Sequence, residues 1–130
     1  MIRIGKRNLS ELFKQILNLN IIATFFRFLL IHEKPFVAIY NEFFSKGRYP
    51  KSLKIKNIFT LKLYSFSDFS TLNLVFCRED YLKPKKIDLV IDIGSNIGIS
   101  CLYWIIDNPK CVVQAFEPSS KNFKRLDNNV

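Results

Sequence analysis

Two carboxylates and two glycines near the end of the chain have the spacing of a ligand-binding turn. Asp92 lies two residues before Gly94, Gly98 follows four residues after that, and Glu117 ends the next apolar segment. Gly94 permits a tight turn at the end of a strand, and Gly98 lets the following helix pack closely. Because ligands of open α/β sheets bind at the carboxyl ends of strands, we expect both acids to lie beside a ligand.

The residues around the two glycines indicate which ligand this turn suits. A P-loop needs Lys and Ser or Thr after its last glycine, whereas Gly98 is followed by Ile99 and Ser100, which disfavours ATP and GTP. A dinucleotide fingerprint needs a middle glycine, and Asn96 stands in that region instead. Asp92 would repel a pyrophosphate but suits a cation. S-adenosylmethionine carries a sulfonium and an ammonium and no phosphate, so the site chemistry favours it.

Each candidate residue has a functional and a structural interpretation. Glu117 either accepts both ribose hydroxyls, in charged hydrogen bonds worth roughly 1.5–3 kcal/mol each, or simply favours the next helix N-terminus. Asp92 either faces the cationic ligand or forms the strand-end turn. Ser95 and Asn96 either contact the methionine moiety or only shape the turn. The expected cofactor-binding set is Asp92, Gly94, Ser95, Asn96, Gly98 and Glu117.

Alternating strands and helices are expected to position these residues. Leu89–Ile93 and Val112–Phe116 are short apolar runs typical of strands in a parallel sheet. Apolar residues at helical spacing predict a helix over residues 97–106, and a second helix is expected to begin after a cap at Ser119 or Ser120. Strand, helix, strand and helix in succession predict an α/β fold with a parallel sheet.

Three segments of this region resemble one family of enzymes. They are residues 89–98 (LVIDIGSNIG), residues 115–118 (AFEP) and residues 126–129, and Tyr81 precedes them. Together they resemble the FkbM-type methyltransferases, over about residues 79–130. The resemblance implies S-adenosyl-L-methionine as cofactor and O-methyl transfer to a hydroxyl of a small molecule or glycan. It also implies a Rossmann-like class I methyltransferase sheet, and it assigns no catalytic residue or acceptor.

The same resemblance predicts a domain longer than this chain contains. The family's sheet has seven strands, whereas residues 87–130 hold two strand–helix units of roughly 20–25 residues each. We therefore expect a truncated sheet, the N-terminal fragment of an enzyme and inactive alone, with the acceptor-binding loops and any general base beyond Val130. An interrupted reading frame is the alternative explanation.

Charge divides the chain near Lys86. Residues 1–86 carry 16 basic and 6 acidic side chains, a net +10, whereas residues 87–130 carry 4 and 5, a net −1. This step predicts a basic N-terminal extension over residues 1–86, joined to the methyltransferase segment at 87–130. It also raises a second hypothesis, a non-catalytic module that docks on an anionic surface, membrane or nucleic acid. No nucleic-acid-binding motif is present, so specific nucleic-acid binding is not expected, and peripheral membrane contact stays open.

The extension is expected to be α+β and to begin with helices. Apolar spacing predicts one long helix or two short ones over residues 9–31, with Asn8 and Glu11 as a capping box. Residues 21–31 are apolar nearly all round, which favours a helix buried in the core over one at a membrane surface. A further short helix is expected over residues 36–49 and to end at Gly47.

The rest of the extension is predicted to be a β-hairpin-like unit and a linker. Apolar residues alternate with polar ones over residues 53–63, the period of a half-buried strand. Residues 65–70 are turn-like and residues 71–77 are a second strand candidate. Lysines are expected on the solvent face (Lys51, Lys54, Lys56 and Lys62), and residues 83–86 are expected to be a polar linker.

Several classes of protein are excluded or disfavoured by single residues. Cys77, Cys101 and Cys111 lack the paired spacing of a disulfide framework or zinc site, which indicates reduced cysteines in a cytoplasmic protein. His32 is the only histidine, so a histidine metal cluster is excluded, and no nucleophile motif lies near it to form a triad. The most apolar run, residues 21–31, is too short for a transmembrane helix of about 20 residues. No secretory signal is recognisable.

Overall fold

The computed structural model describes residues 3–4, 7–8, 19–44, 48–55, 58–81, 84 and 86–130. Within these ranges the chain forms a mixed α/β fold with three two-stranded sheets, of which one is parallel. Two short strands come first, β1 (Arg3–Ile4) and β2 (Arg7–Asn8), and they pair antiparallel. The predictions for residues 9–18, including a capping role of Glu11, lie outside the described residues.

Two apolar helices follow, α1 (Leu19–Ile31) and α2 (Pro35–Phe44). Both helices were predicted, α2 with a later end, and residues 45–47 lie outside the described part. The prediction that residues 21–31 form a buried core helix is wrong, because Ile31 is the one fully buried residue of α1. Neighbouring elements cover only one side of this helix, and an apolar composition all round does not itself supply a second covering layer.

An antiparallel hairpin of β3 (Lys51–Ile55) and β4 (Phe59–Leu63) comes next. Its register pairs Ile55 with Phe59 and Leu53 with Leu61. Apolar side chains face the core, while Lys54 and Lys62 are exposed on the other face. The predicted period is confirmed, and Lys54 and Lys62 face solvent as predicted. The prediction is wrong for Lys51, which lies on the same face as Leu53 and Ile55 and is half-buried against Glu42 and the Tyr49 ring. Lys56 lies outside the described residues, and both strands of the hairpin lie within residues 51–63 rather than pairing with residues 71–77.

The segment after the hairpin corrects two predictions. Residues 65–70 were predicted as a turn and residues 71–77 as a strand, but the chain forms α3 (Phe66–Asn73) and a π-helical segment (Leu74–Arg78). The Ser65 hydroxyl accepts the backbone N–H of Asp68 and so caps the helix. Helical spacing then brings the apolar side chains to the core, namely Phe69, Leu72, Val75 and Phe76. This burial outweighs the weak strand preference of the local sequence.

The last part of the chain consists of two strand–helix units. They are β5 (Leu89–Ile93), α4 (Ile99–Asp107), β6 (Val112–Phe116) and α5 (Ser120–Asp127). The strands are parallel, as predicted, with Leu89 opposite Val112 and Ile93 opposite Phe116. α4 packs against one face of this pair. The side chains of the other face are exposed: Leu89, Ile91, Ile93, Val112 and Phe116.

One hydrophobic core joins the hairpin, α3 and α4. The Phe76 and Tyr103 rings meet edge to face with centroids 5.4 Å apart. The Asn129 side chain bonds to the backbone of both Lys62 and Ile97. These contacts cross the boundary near Lys86 that the charge step predicts, and that boundary stays a prediction from sequence. None of the described helices combines the length and apolar character required to cross a bilayer.

Candidate ligand site at the carboxyl ends of β5 and β6

The turn after β5 is built from three residues with left-handed backbone. Gly94, Asn96 and Gly98 have φ angles of 86°, 50° and 89°. The backbone N–H groups of Gly94 and Ser95 both donate to the carbonyl of Phe116, at 2.8 Å and 3.1 Å. A Cβ atom added at Gly94 would meet nothing within 4 Å. Glycine is therefore required there for conformation, and the space beside it is open to a ligand.

Asp92, near the end of β5, is oriented by the first turn of α4. Its Oδ2 atom accepts a hydrogen bond from the Ser100 hydroxyl at 2.6 Å and one from the Cys101 thiol at 3.2 Å. Burial, and then the hydrogen bond to Asp92, raise the pKa of Cys101 to about 12, so the thiol stays protonated as a donor. Asp92 is thus held by two donors from one helix.

Glu117, directly after β6, connects the two strand-end loops. Its Oε2 atom accepts the Asn96 N–H at 2.8 Å, and its Oε1 atom accepts the Ser119 N–H at 2.9 Å. A carboxylate has about four acceptor positions. Two of them are occupied by these bonds, so further donors such as hydroxyl groups find acceptor capacity on the same side chain. Ser119 also caps α5, through its hydroxyl and the N–H of Asn122.

The remaining candidate residues differ in how their side chains are used. Ser95 is buried and its hydroxyl donates to the carbonyl of Asp92 at 2.8 Å, which favours the turn-shaping interpretation for this side chain. Asn96 is exposed beside it. A Cβ at Gly98 would lie 2.7 Å from Val130 Cγ2 and 3.5 Å from Leu126 Cγ. Gly98 therefore permits close packing of the turn against the end of α5.

All six predicted site residues lie on one edge of the parallel pair. Their side chains include two carboxylates and neither lysine nor arginine. These two negatively charged acceptors suit a ligand with a positive charge and hydroxyl donors, and they disfavour a phosphate. The sequence prediction missed the donors on α4, Ser100 and Cys101. The sequence feature that could have identified them is a small polar residue, Ser100, in the first turn of the helix that follows Gly98. Side chains in a helix lean toward its N-terminus, so this one points back toward β5.

The only histidine of the chain has its contacts on other elements. His32 is buried between the rings of Phe28 and Phe69, with centroids 4.3 Å and 5.9 Å away. Its Nε2 atom lies 3.1 Å from the Asn73 amide oxygen, so Nε2 carries the proton. Desolvation by burial lowers the pKa of His32. No cluster of three or more His, Cys, Asp or Glu that could hold a metal occurs among the described residues.

Comparison of this chain with protein-family models, with curated proteins and with solved structures found no match. The functional conclusion therefore depends on the residues of the site and on their geometry.

Proposed function

We propose that this chain binds S-adenosyl-L-methionine at the carboxyl edge of β5 and β6. The function that follows is that of an S-adenosylmethionine-dependent methyltransferase, with O-methyl transfer to a hydroxyl of a small molecule or glycan as its reaction. The observation that carries the proposal is that Asp92 in β5 and Glu117 directly after β6 lie at the carboxyl ends of two adjacent parallel strands, beside the open turn at Gly94.

The positions of the two acids support this ligand over a phosphate-bearing one. Asp92 is paired with Ala115 of β6, and Glu117 follows Ala115 by two residues in the direction of that strand. The carboxylates thus follow each other along the edge rather than converging on one atom. A ligand with a cationic amino-acid end and a ribose diol has two separate groups to present to them.

Asp92 and Glu117 would bind different parts of this ligand. Asp92, held by Ser100 and Cys101, offers a negative charge to the cationic end. Glu117 accepts ribose hydroxyls while its bond to the Asn96 N–H fixes the loop beside it. S-adenosylmethionine supplies an electrophilic methyl group on its sulfonium. Among the described residues we assign none as the general base for the acceptor hydroxyl.

Calorimetric titration of S-adenosylhomocysteine into the full chain tests the proposal. Glu117→Gln removes the charge from the bonds to the ribose, and we expect the dissociation constant to rise about tenfold or more. Asp92→Asn is expected to raise the dissociation constant of S-adenosylmethionine more than that of S-adenosylhomocysteine, because only S-adenosylmethionine carries the sulfonium charge. Asp127→Asn, an exposed acid at the end of α5, is the matched control and should bind like the unmodified chain.

Three results would overturn the assignment. They are the lack of saturable binding by the unmodified chain, equal binding by all three variants, and tighter binding of ATP than of S-adenosylhomocysteine. Thermal unfolding of each variant, followed by circular dichroism, separates a lost ligand contact from a lost fold.

A further inference from the structure

The outer side of α1 carries a stripe of exposed apolar side chains. Leu19, Phe26 and Leu30 are 80%, 59% and 79% exposed. Their spacing of seven and four residues puts them on one side of the helix. Another side packs on the π-helical segment, and Arg27, at the border between the two sides, pairs with Glu79 at 2.8 Å. This helix therefore has a covered side and an uncovered side, and the three most exposed apolar residues of the uncovered side form a stripe.

α2 has a second apolar stripe, which is rich in aromatic residues. Phe36, Val37, Tyr40 and Phe44 are between 52% and 73% exposed. They lie within about 100° of each other around the helix, and the Tyr40 and Phe44 rings stack with centroids 5.1 Å apart. The core-facing side is different, because Ala38 is buried there.

We propose that these two stripes dock on the surface of an anionic lipid bilayer. The apolar helix face consists of Leu19, Phe26, Leu30, Phe36, Val37, Tyr40 and Phe44. Its aromatic and aliphatic side chains would enter the boundary between headgroups and acyl chains, where such residues are stabilised. The 13 residues of α1 span about 20 Å, less than the roughly 30 Å of a hydrocarbon core. The helices therefore lie on the membrane rather than across it.

Charge complementarity identifies the occupant of the face as anionic. Residues 1–86 carry a net +10. Lys34 is exposed in the turn between α1 and α2, and it lines one cavity together with Val37 and Lys54. The Lys54 side chain is 57% exposed, and its ammonium lies 3.8 Å from the Glu33 carboxylate, a distance and exposure at which an ion pair is weak. Cations thus lie directly beside the apolar stripe of α2.

The same observations disfavour the other occupants. A second copy of the chain would bring two segments of net +10 together, and like charges repel. Nucleic acid satisfies the charge but offers no aliphatic surface for Leu19, Leu30 or Val37. A bilayer with anionic headgroups supplies both the negative charge and the acyl chains. The docking surface is independent of the proposed S-adenosylmethionine site, since it shares no residue with it.

Sedimentation with vesicles tests this inference on the full chain. The probes are vesicles of phosphatidylcholine alone and vesicles with about 30% phosphatidylserine, at low and high salt. The double variant F36S/F44S should lower partitioning to anionic vesicles about tenfold or more, because two large apolar side chains are lost from the contact. The control is F123S, which removes an aromatic residue 50% exposed on α5 and should bind within about twofold of the unmodified chain.

A charge variant separates the electrostatic part of the binding. K34E/K54E is expected to weaken partitioning to anionic vesicles and to leave partitioning to neutral vesicles unchanged. K121E, on α5, should weaken partitioning to anionic vesicles less than K34E/K54E does. The proposal is overturned if the unmodified chain does not prefer anionic vesicles, or if F36S/F44S binds like F123S. Two further results would overturn it. One is that the unmodified chain self-associates and F36S/F44S abolishes this self-association. The other is that the unmodified chain binds an RNA oligonucleotide more tightly than anionic vesicles and F36S/F44S abolishes the RNA binding. Because the replaced side chains are exposed, unchanged melting curves are expected for all variants.

Discussion

The antiparallel hairpin and the parallel pair have the same size and opposite surroundings. Each consists of two strands of five residues. In the hairpin, the core-facing Ile55, Leu61 and Leu63 have no exposed surface. In the parallel pair, Ile91 and Ile93 are 59% and 83% exposed. Strand length and apolar content therefore do not decide burial.

The difference comes from how each pair is covered. The hairpin exposes Lys54 and Lys62 on one face and is mostly apolar on the other, so a single covering layer is enough. α3 and the π-helical segment supply that layer. The parallel pair is apolar on both faces, and α4 covers one of them. A parallel pair that is apolar on both faces needs two covering layers, one more than a hairpin of equal length.

Truncation of one apolar side chain in each pair should give the largest contrast. Leu61→Ala removes a fully buried side chain and is expected to lower the free energy of unfolding by about 2–5 kcal/mol. Ile91→Ala removes a side chain that is mostly in contact with water, and about 1 kcal/mol or less is expected. Urea denaturation measures both. Equal losses would mean that the outer face of the parallel pair is covered in solution.

A backbone substitution in the turn of the parallel pair should have an intermediate effect. Gly94 has φ of 86° and free space at its Cβ position, so Gly94→Ala costs only the left-handed strain of about 1–2 kcal/mol. Asn96→Gly, at φ of 50°, is the matched control and should change stability by no more than about 0.5 kcal/mol. A larger loss for Asn96→Gly than for Gly94→Ala would contradict this account of the turn.

Mild acid should destabilise the covered region through His32. Desolvation by burial, with a smaller contribution from Lys51, lowers the pKa of His32 below 6.5 despite its hydrogen bond to Asn73. The unfolded chain therefore binds a proton that the folded chain does not, and stability falls as the pH drops below that value. Between pH 6.5 and about 5.5 the loss is at most about 1.4 kcal/mol.

Denaturation midpoints at about pH 7.5 and about pH 5.5 measure this loss. His32→Gln removes the titrating group and is expected to show a smaller decrease than the unmodified chain. An equal decrease in both proteins would mean that other groups cause the acid sensitivity.

The strand–helix alternation was the most predictable part of the fold. β5, α4, β6 and α5 follow directly from apolar runs bounded by Gly94, Asn108 and the cap at Ser119. The segment at residues 71–77 was not predictable in this way. Its short apolar run fits strand and helix periods alike, and the cap at Ser65 together with burial against the core decides for the helix.

The candidate site was predictable in its residue types and only partly in its contacts. The sequence places two acids and two glycines at strand ends, and the turn does contain left-handed glycines at 94 and 98. The bonds of Asp92 to Ser100 and Cys101 depend on the orientation of α4 relative to β5, which residue spacing does not specify. The exposure of α1 likewise depends on which neighbours pack around it.

Asn129 closes a hydrogen-bonding edge of the hairpin. Its amide oxygen accepts the Lys62 N–H at 3.0 Å, and its amide nitrogen donates to the Lys62 carbonyl at 3.2 Å. One side chain thus occupies both backbone groups of a residue, Lys62, on the side of β4 that faces away from β3. An edge peptide with free N–H and C=O groups is where strands of other molecules pair and aggregates begin. At Lys62 of β4, the amide of Asn129 takes the place of an incoming strand.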